Sequence, residues 1–158
     1  MLGALNEEEI DGFLKKQIIG RIGCQQGGEV YVVPISYAYD GKYIYCHTQE
    51  GRKTNMMKKN PRICFEVDSL EATATWKSVI IRGEYIEVND KIERAEALKN
   101  LLNRVYPFVI SKKMKLGEHW PFAPDDLNNI KGIVFKISIQ EKSGRYELND
   151  EPWNFVKG

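Results

Sequence analysis

No stretch of this chain holds about 18 consecutive apolar residues, the length a membrane-spanning helix needs. A helical membrane protein is therefore not expected. The first residues, MLGALNEEEIDGFLKK, lack the basic start and apolar run of a secretory signal, so the expected location is cytoplasmic. An excess of one charge is missing too. The 23 basic and 22 acidic residues leave a formal net charge of +1, which argues against a protein built to grip nucleic acid. Cysteine is scarce: Cys24, Cys46 and Cys64 cannot all pair within one chain, and none forms a C-x-x-C pair. They read as reduced core thiols, with no metal or disulfide role. Histidine is scarcer still, with only His47 and His119. His47 beside Cys46 is not metal-ligand spacing, because adjacent strand residues point to opposite faces. A G-x-G-x-x-G dinucleotide fingerprint is absent, as are repeats, linkers and low-complexity segments. With 42% hydrophobic and 28% charged residues, the 158-residue chain fits one domain over 1–158.

What is present is mostly β pattern. Strands are predicted over 18–24, 29–39, 42–48, 62–68 and 76–88, with another and a further short one inside 130–148. Residues 25–28, QQGG, read as a turn. Asp40-Gly41 reads as a two-residue hairpin pairing 29–39 with 42–48. That pairing would bring Ile35 and Ser36 near Tyr45, Cys46 and His47. Asn6 is a predicted helix cap, followed by acids and by Ile10, Phe13 and Leu14 on one face. A second helix is expected from the Asn89-Asp90 cap to about Arg104, with Ala95, Leu98, Leu101, Leu102 and Val105 inward. Residues 106–129 are expected to be irregular and aromatic, with Phe108, Trp120 and Phe122. The predicted class is mainly β with α additions: six antiparallel strands in a closed or partly closed barrel, since closure removes exposed edges.

Two local anomalies point to a ligand. The stretch HTQEGRKTNMMKKNP (47–61) places a short helix after a strand and stops at Asn60-Pro61. Lys58 and Lys59 suit its C-terminal end, but Arg52 and Lys53 stand in the first turn, where cations oppose the helix dipole. Helix starts bind anions. A phosphate there turns an unfavourable pair into a favourable one, and Gly51 is expected to leave the backbone free to bend around it. The second anomaly is Pro34, at the centre of the best strand, which belongs at an edge because proline cannot donate to a ladder. Arg21, close to Gly20 and Gly23, is a further place where another group could approach.

The segment VVPISYAYDGKYIYCHTQEGRKTNMMKKNPRICFEVD (32–68) resembles the core of the flavin-binding split-barrel proteins related to pyridoxamine 5'-phosphate oxidase. Within them it is most similar to the branch of the nitroimidazole-resistance (Nim) proteins. The resemblance extends through WKSVIIRGEYIEV and fades near Leu102. It implies a six-stranded split barrel with FMN at a homodimer interface. The phosphate would be held by Arg52 and Lys53 after Gly51. The ring would lie along Val33, Pro34, Ile35 and Ser36 and touch His47 and Thr48. Lys77 and Ser78 would approach it from the partner subunit. The Arg-x-His pair that ends pyridoxamine phosphate oxidases is missing from EPWNFVKG, so that activity does not carry over.

The expected function is an FMN-dependent oxidoreductase, a flavin reductase or Nim-like nitroreductase, acting on a small molecule with reduced nicotinamide as a plausible electron donor. His47 is the candidate proton donor. Two other readings stay open: a flavin-binding or sensing protein without turnover, and a haem-binding split-barrel protein. Trp120 and Phe122 are candidates for a substrate mouth or a loop anchor, and Trp153 and Phe155 for a cover over the barrel or the partner. His119 has no assigned role.

Overall fold

The computed structural model describes residues 1–109 and 130–149, with the backbone alone for 105–109. Trp120, Phe122, His119, Trp153 and Phe155 lie outside the described residues.

The chain opens with β1 (Leu2–Leu5) and α1 (Glu7–Lys16). Helix α1 begins where its cap predicts. Asn6 Oδ1 accepts from the Glu9 amide at 2.9 Å, and Glu9 Oε2 accepts from the Asn6 amide at 2.8 Å. Ile10, Phe13 and Leu14 are buried, as their spacing predicts. The far end of α1 is capped from a distance, where Arg104 Nη2 donates to Lys15 O at 2.7 Å and to the Gln17 carbonyl.

Strands β2 (Ile19–Gln26) and β3 (Glu29–Ser36) form a hairpin. The turn is shorter than the predicted QQGG. Gln25 and Gln26 are strand, and Gly27-Gly28 turn alone, with φ of 59° and 82°. The predicted strand 29–39 breaks at Tyr37, whose amide donates to Ile18 O at 3.0 Å. Only β4 (Ala38–Tyr39) goes on to pair with β5 (Tyr43–Thr48). The Asp40-Gly41 turn does form, with Asp40 Oδ1 accepting from the Lys42 and Tyr43 amides at 2.8 and 2.7 Å. It joins β4 to β5 and not β3 to β5, because β3 stays in the β2 ladder up to Ser36 and the chain breaks at Tyr37 before the turn, so only Ala38 and Tyr39 face β5.

Helix α2 (Arg52–Lys59), β6 (Arg62–Ala72), β7 (Thr75–Glu87), α3 (Lys91–Val109) and β8 (Ile133–Glu147) follow. Asp90 caps α3 by accepting from the Glu93 amide at 2.9 Å. The helix continues through Tyr106 to Val109, past its predicted end near Arg104. Ala97, Leu98 and Leu101 are buried, while Ala95 and Leu102 are half-buried. The segment expected to hold a strand and a further short one is a single strand of 15 residues.

Every ladder is antiparallel, in the order β3-β2-β6-β7-β8-β5-β4, with β1 also on β8. The strand count is eight, not six. The two extra strands are short, β1 at the rim and β4 after the break. The sheet is open: β3 and β4 end the path among the described residues, and β3 passes near β5 without a ladder. This is a barrel left split.

The inner face follows the period of two. Ile22 and Cys24, then Ile63, Phe65 and Val67, then Val79 and Ile81, then Phe135 and Ile137, fill it. The same alternation corrects one expectation: Cys24 and Cys46 are buried, but Cys64, between Ile63 and Phe65, is exposed on the outer face. Between Arg82 and Gly83 the β7–β8 register slips, so that Gly83 faces Ile139 while Arg82 faces Glu141.

Candidate functional site

β5 delivers the chain to the loop 49–51, and α2 begins at once. Met56 and Met57 bury one side of this helix in the core. Gly51 has φ 177°, an extended backbone that any residue adopts, so the expectation of special bending freedom there is not met. What Gly51 leaves is space: no heavy atom lies within 4 Å of where a Cβ would stand. Its amide donates to Thr54 Oγ1 at 2.9 Å, and the Thr54 hydroxyl donates back to Gly51 O at 2.9 Å. Thr54 is fully buried, which fixes the turn. The first turn holds no acidic residue, and its N–H groups have no intrahelical acceptor.

Arg52 leans out of this turn. Its Nη2 lies 2.8 Å from Glu29 Oε2, and its guanidinium stands 4.8 Å from the Tyr31 ring centroid. Lys53 is half-buried and makes no hydrogen bond or salt bridge among the described residues. Both cations reach inward electrostatically. Burial pushes the Cys24 thiol pKa up, and Arg52 and Lys53 pull against it. Burial raises Cys46 likewise, with Lys53 opposing. At the other end of α2, Lys58 lies 3.7 Å from Glu50 and 3.9 Å from Glu87, in keeping with a solvated helix end.

Pro34 lies on the edge strand, as a proline requires, opposite Arg21. Tyr31, Val33 and Ile35 turn inward, while Val30, Val32 and Pro34 turn outward. Ser36 is half-buried at the strand's end.

His47 and Thr48 close β5 immediately before the α2 loop. Thr48 Oγ1 donates to Gln49 O at 3.2 Å. His47 Nε2 lies 2.7 Å from Lys131 O, a contact that assigns the proton to Nε2. Arg94 donates to Ile130 O at 2.6 Å and to Gly132 O at 3.3 Å. Gly132 is needed here, since it has φ 103° and a Cβ would sit 2.8 Å from His47 Nε2. His47 and Arg94 thus clamp the chain as it enters β8.

Burial lowers the pKa of His47 below its ordinary 6.5, and the Arg94 charge adds to this against the Lys131 bond. A histidine held neutral in the fold contributes stability that is present above the unfolded pKa and lost as pH falls through the folded one. The thermal midpoint should therefore fall from about pH 7 to about pH 5 more steeply in the wild type than in His47→Gln. Parallel pH profiles would remove His47 from the account.

Lys77 and Ser78 are not brought to Arg52 within one chain. In the β6–β7 ladder they face Ser69 and Asp68, while the α2 side of β6 begins at Arg62, about 20 Å away by strand rise. They also point to opposite faces. Ser78 Oγ donates to Glu66 at 2.9 Å, and Glu66 and Asp68 both bind Arg21. Lys77 lines a cleft with Phe13, Lys16 and Trp76. Beside the Arg21 cluster, a groove of about 770 Å³ crosses the outer face, lined by Val30, Val32, Cys64, Ile80 and Arg82 among others. Val30 and Val32 are 72% and 59% exposed there.

Sequence reasoning missed Glu29, Tyr31, Arg94 and Gly132. The alternation along β3 puts Glu29 and Tyr31 on one face, but the Glu29 contact with Arg52 crosses 23 residues. The contact of Arg94 with the 130–132 segment is more distant still.

The chain matches the sequence model of the pyridoxamine 5'-phosphate oxidase family over residues 6–146. Among curated proteins it is similar to an uncharacterized protein of Rhizobium meliloti, 31% identical over 84 residues, which is 53% of this chain. The match spans 56% of that relative's length. Among solved structures, a FAD-binding protein from Mesorhizobium loti superimposes with a TM-score of 0.72 at 28% identity, covering 94% of this chain and 98% of that one. A candidate 5-nitroimidazole antibiotic resistance protein from Bacteroides thetaiotaomicron superimposes with a TM-score of 0.68 at 18% identity, over 92% of this chain and 87% of that one, a likeness of fold.

Proposed function

Because the chain belongs to the pyridoxamine 5'-phosphate oxidase family, we propose that it binds FMN at the first turn of α2 and is an oxidoreductase acting on a small molecule. The observation that carries this reading is the Arg52–Lys53 pair on a helix start without an acidic residue. An anion there is met by free N–H groups, by the planar fork of Arg52 and by the point charge of Lys53. Gly51 adds no bulk beside it. The donor set fits a phosphate. Pro34 to Ser36 on the edge strand, with His47 and Thr48 at the end of β5, offer a flat ring its surface. The FAD-binding protein of Mesorhizobium loti keeps the dinucleotide in view. Two adjacent cations suit a terminal phosphate, which favours the mononucleotide.

Bound flavin would supply the electron transfer, with reduced nicotinamide as donor and a nitro compound as one class of acceptor. The chain's own part is to hold, orient and shield the ring. The His47 ring, fixed by Lys131 O through Nε2, is an orienting group whose Nδ1 in the neutral ring would accept and not donate a proton, so the proton-donor role expected of it is not carried forward. A second copy of the chain would cover the ring's outer face. The apolar groove beside Val30, Val32 and Ile80 supports such a pairing, and Ser78, which alternation puts on the same face of β7 as Ile80, would lie toward the partner. A two-fold pair is the commonest solution. The three free thiols suit a cytoplasmic setting.

The test is the absorption spectrum of the purified protein, chromatography of the released chromophore, and sedimentation. The expected result is a flavin spectrum, FMN on release, bleaching by reduced nicotinamide, and twice the chain mass. A colourless protein that takes up no added flavin sinks the proposal. A yellow protein that reduced nicotinamide leaves unchanged limits it to binding or sensing. A stable monomer that keeps its flavin removes the interface site.

A further inference from the structure

The Arg52 ion pair has a consequence for loading. Glu29 is the one carboxylate within salt-bridge distance of Arg52 among the described residues. It stands at the first position of the edge strand β3 and is 71% exposed in its side chain. It receives a single bond, from Arg52 Nη2, and accepts no other hydrogen bond among the described residues. A carboxylate that positions an arginine is normally held by groups of its own. Glu29 is not, so it follows Arg52 and does not fix it. In the empty chain its charge offsets a cation that the α2 dipole disfavours. Once a phosphate arrives, two anions compete for one guanidinium, and like charges that close disfavour each other.

On the flavin reading above, we propose that Glu29 is a built-in competitor for the phosphate site: it occupies Arg52 in the empty chain and yields when a flavin phosphate binds. Tyr31 gives the guanidinium a flat surface to lie against in either state. The competitor sets loading against cellular flavin and would oppose occupation by weaker anions.

The experiment titrates FMN and riboflavin, which lacks the phosphate, into wild type, Glu29→Gln, Arg52→Ala and the double variant, following flavin fluorescence. Glu29→Gln should tighten FMN by about two- to fivefold, the range of an exposed ion pair, and leave riboflavin unchanged. The gain should shrink at high salt and vanish in the Arg52→Ala background. Unchanged or weakened FMN binding in Glu29→Gln overturns the competitor. If Arg52→Ala itself leaves FMN binding unchanged, the phosphate assignment fails instead, and the competitor goes with it. Circular dichroism of each variant checks that the fold is kept.

Discussion

Arg52→Ala combined with Lys53→Ala should weaken FMN binding about a hundredfold or more while the empty protein stays folded. Two charge-assisted hydrogen bonds at roughly 1.5–3 kcal/mol each set the upper range, and the exposure of Arg52 places the expected loss toward its lower end. The two terms in the empty protein nearly cancel. Removing each cation relieves about 0.3–1 kcal/mol of repulsion with the helix dipole, and losing the exposed Glu29 pair gives up about 0–1 kcal/mol. The thermal midpoint of the empty variant should therefore hold or rise slightly, while riboflavin binding changes little. A ligand-binding loss with no stability loss separates a binding pair from a structural one. A double variant that retains FMN at wild-type affinity would falsify the phosphate assignment.

The largest stability effect should come from Gly83→Ala. A Cβ at that position would lie 2.3 Å from Ser138 O and 2.9 Å from Ile137 Cγ2. The nearer obstacle is backbone in the middle of the sheet, so a rotamer change cannot relieve it. Overpacking typically costs about 1–3 kcal/mol and sometimes more, and the register slip at Arg82/Gly83 puts this site at the high end. At about 2–4 °C per kcal/mol for a domain of this size, the midpoint should fall by about 10 °C. Gly12→Ala is the control of opposite sign. No atom lies within 4 Å of its added Cβ, in the exposed middle of α1, so it should gain about 0.5–1 kcal/mol. Equal midpoints for both variants would mean that the close approach at Gly83 is not felt by the folded chain.

What the sequence made legible was local. The Asn6 cap, the burial of Ile10, Phe13 and Leu14, the Asp90 cap and the proline on an edge strand follow from a few neighbouring residues and appear as expected. The placement of Arg52 and Lys53 in a first turn was equally readable. Three things were not. Leu2–Leu5 has no strand signal of its own and becomes β1 only by pairing with β8, at the other end of the chain. The break at Tyr37 comes from a hydrogen bond to Ile18, so a stretch that looks continuous serves two different neighbours. The Glu29–Arg52 pair joins two elements that only the curl of the sheet brings together. The outward position of Cys64 could have been read, because Ile63, Phe65 and Val67 mark the inner face by alternation.

β8 sits between β7 and β5, yet it is translated after both. During synthesis the edges of β7 and β5 stay bare until it emerges, about 60 residues after the end of β7, or roughly 3–12 s at ordinary elongation rates. The hairpins β2–β3 and β6–β7 can form early, but the pairing of Leu2 with Glu147 cannot. Such long-range closure predicts slow folding, on the millisecond-to-second scale, and an interval of dependence on chaperones on the ribosome. A nascent chain stalled before residue 133 would display the edges of β7 and β5 in addition to those of β3 and β4, and there it would be most prone to aggregate.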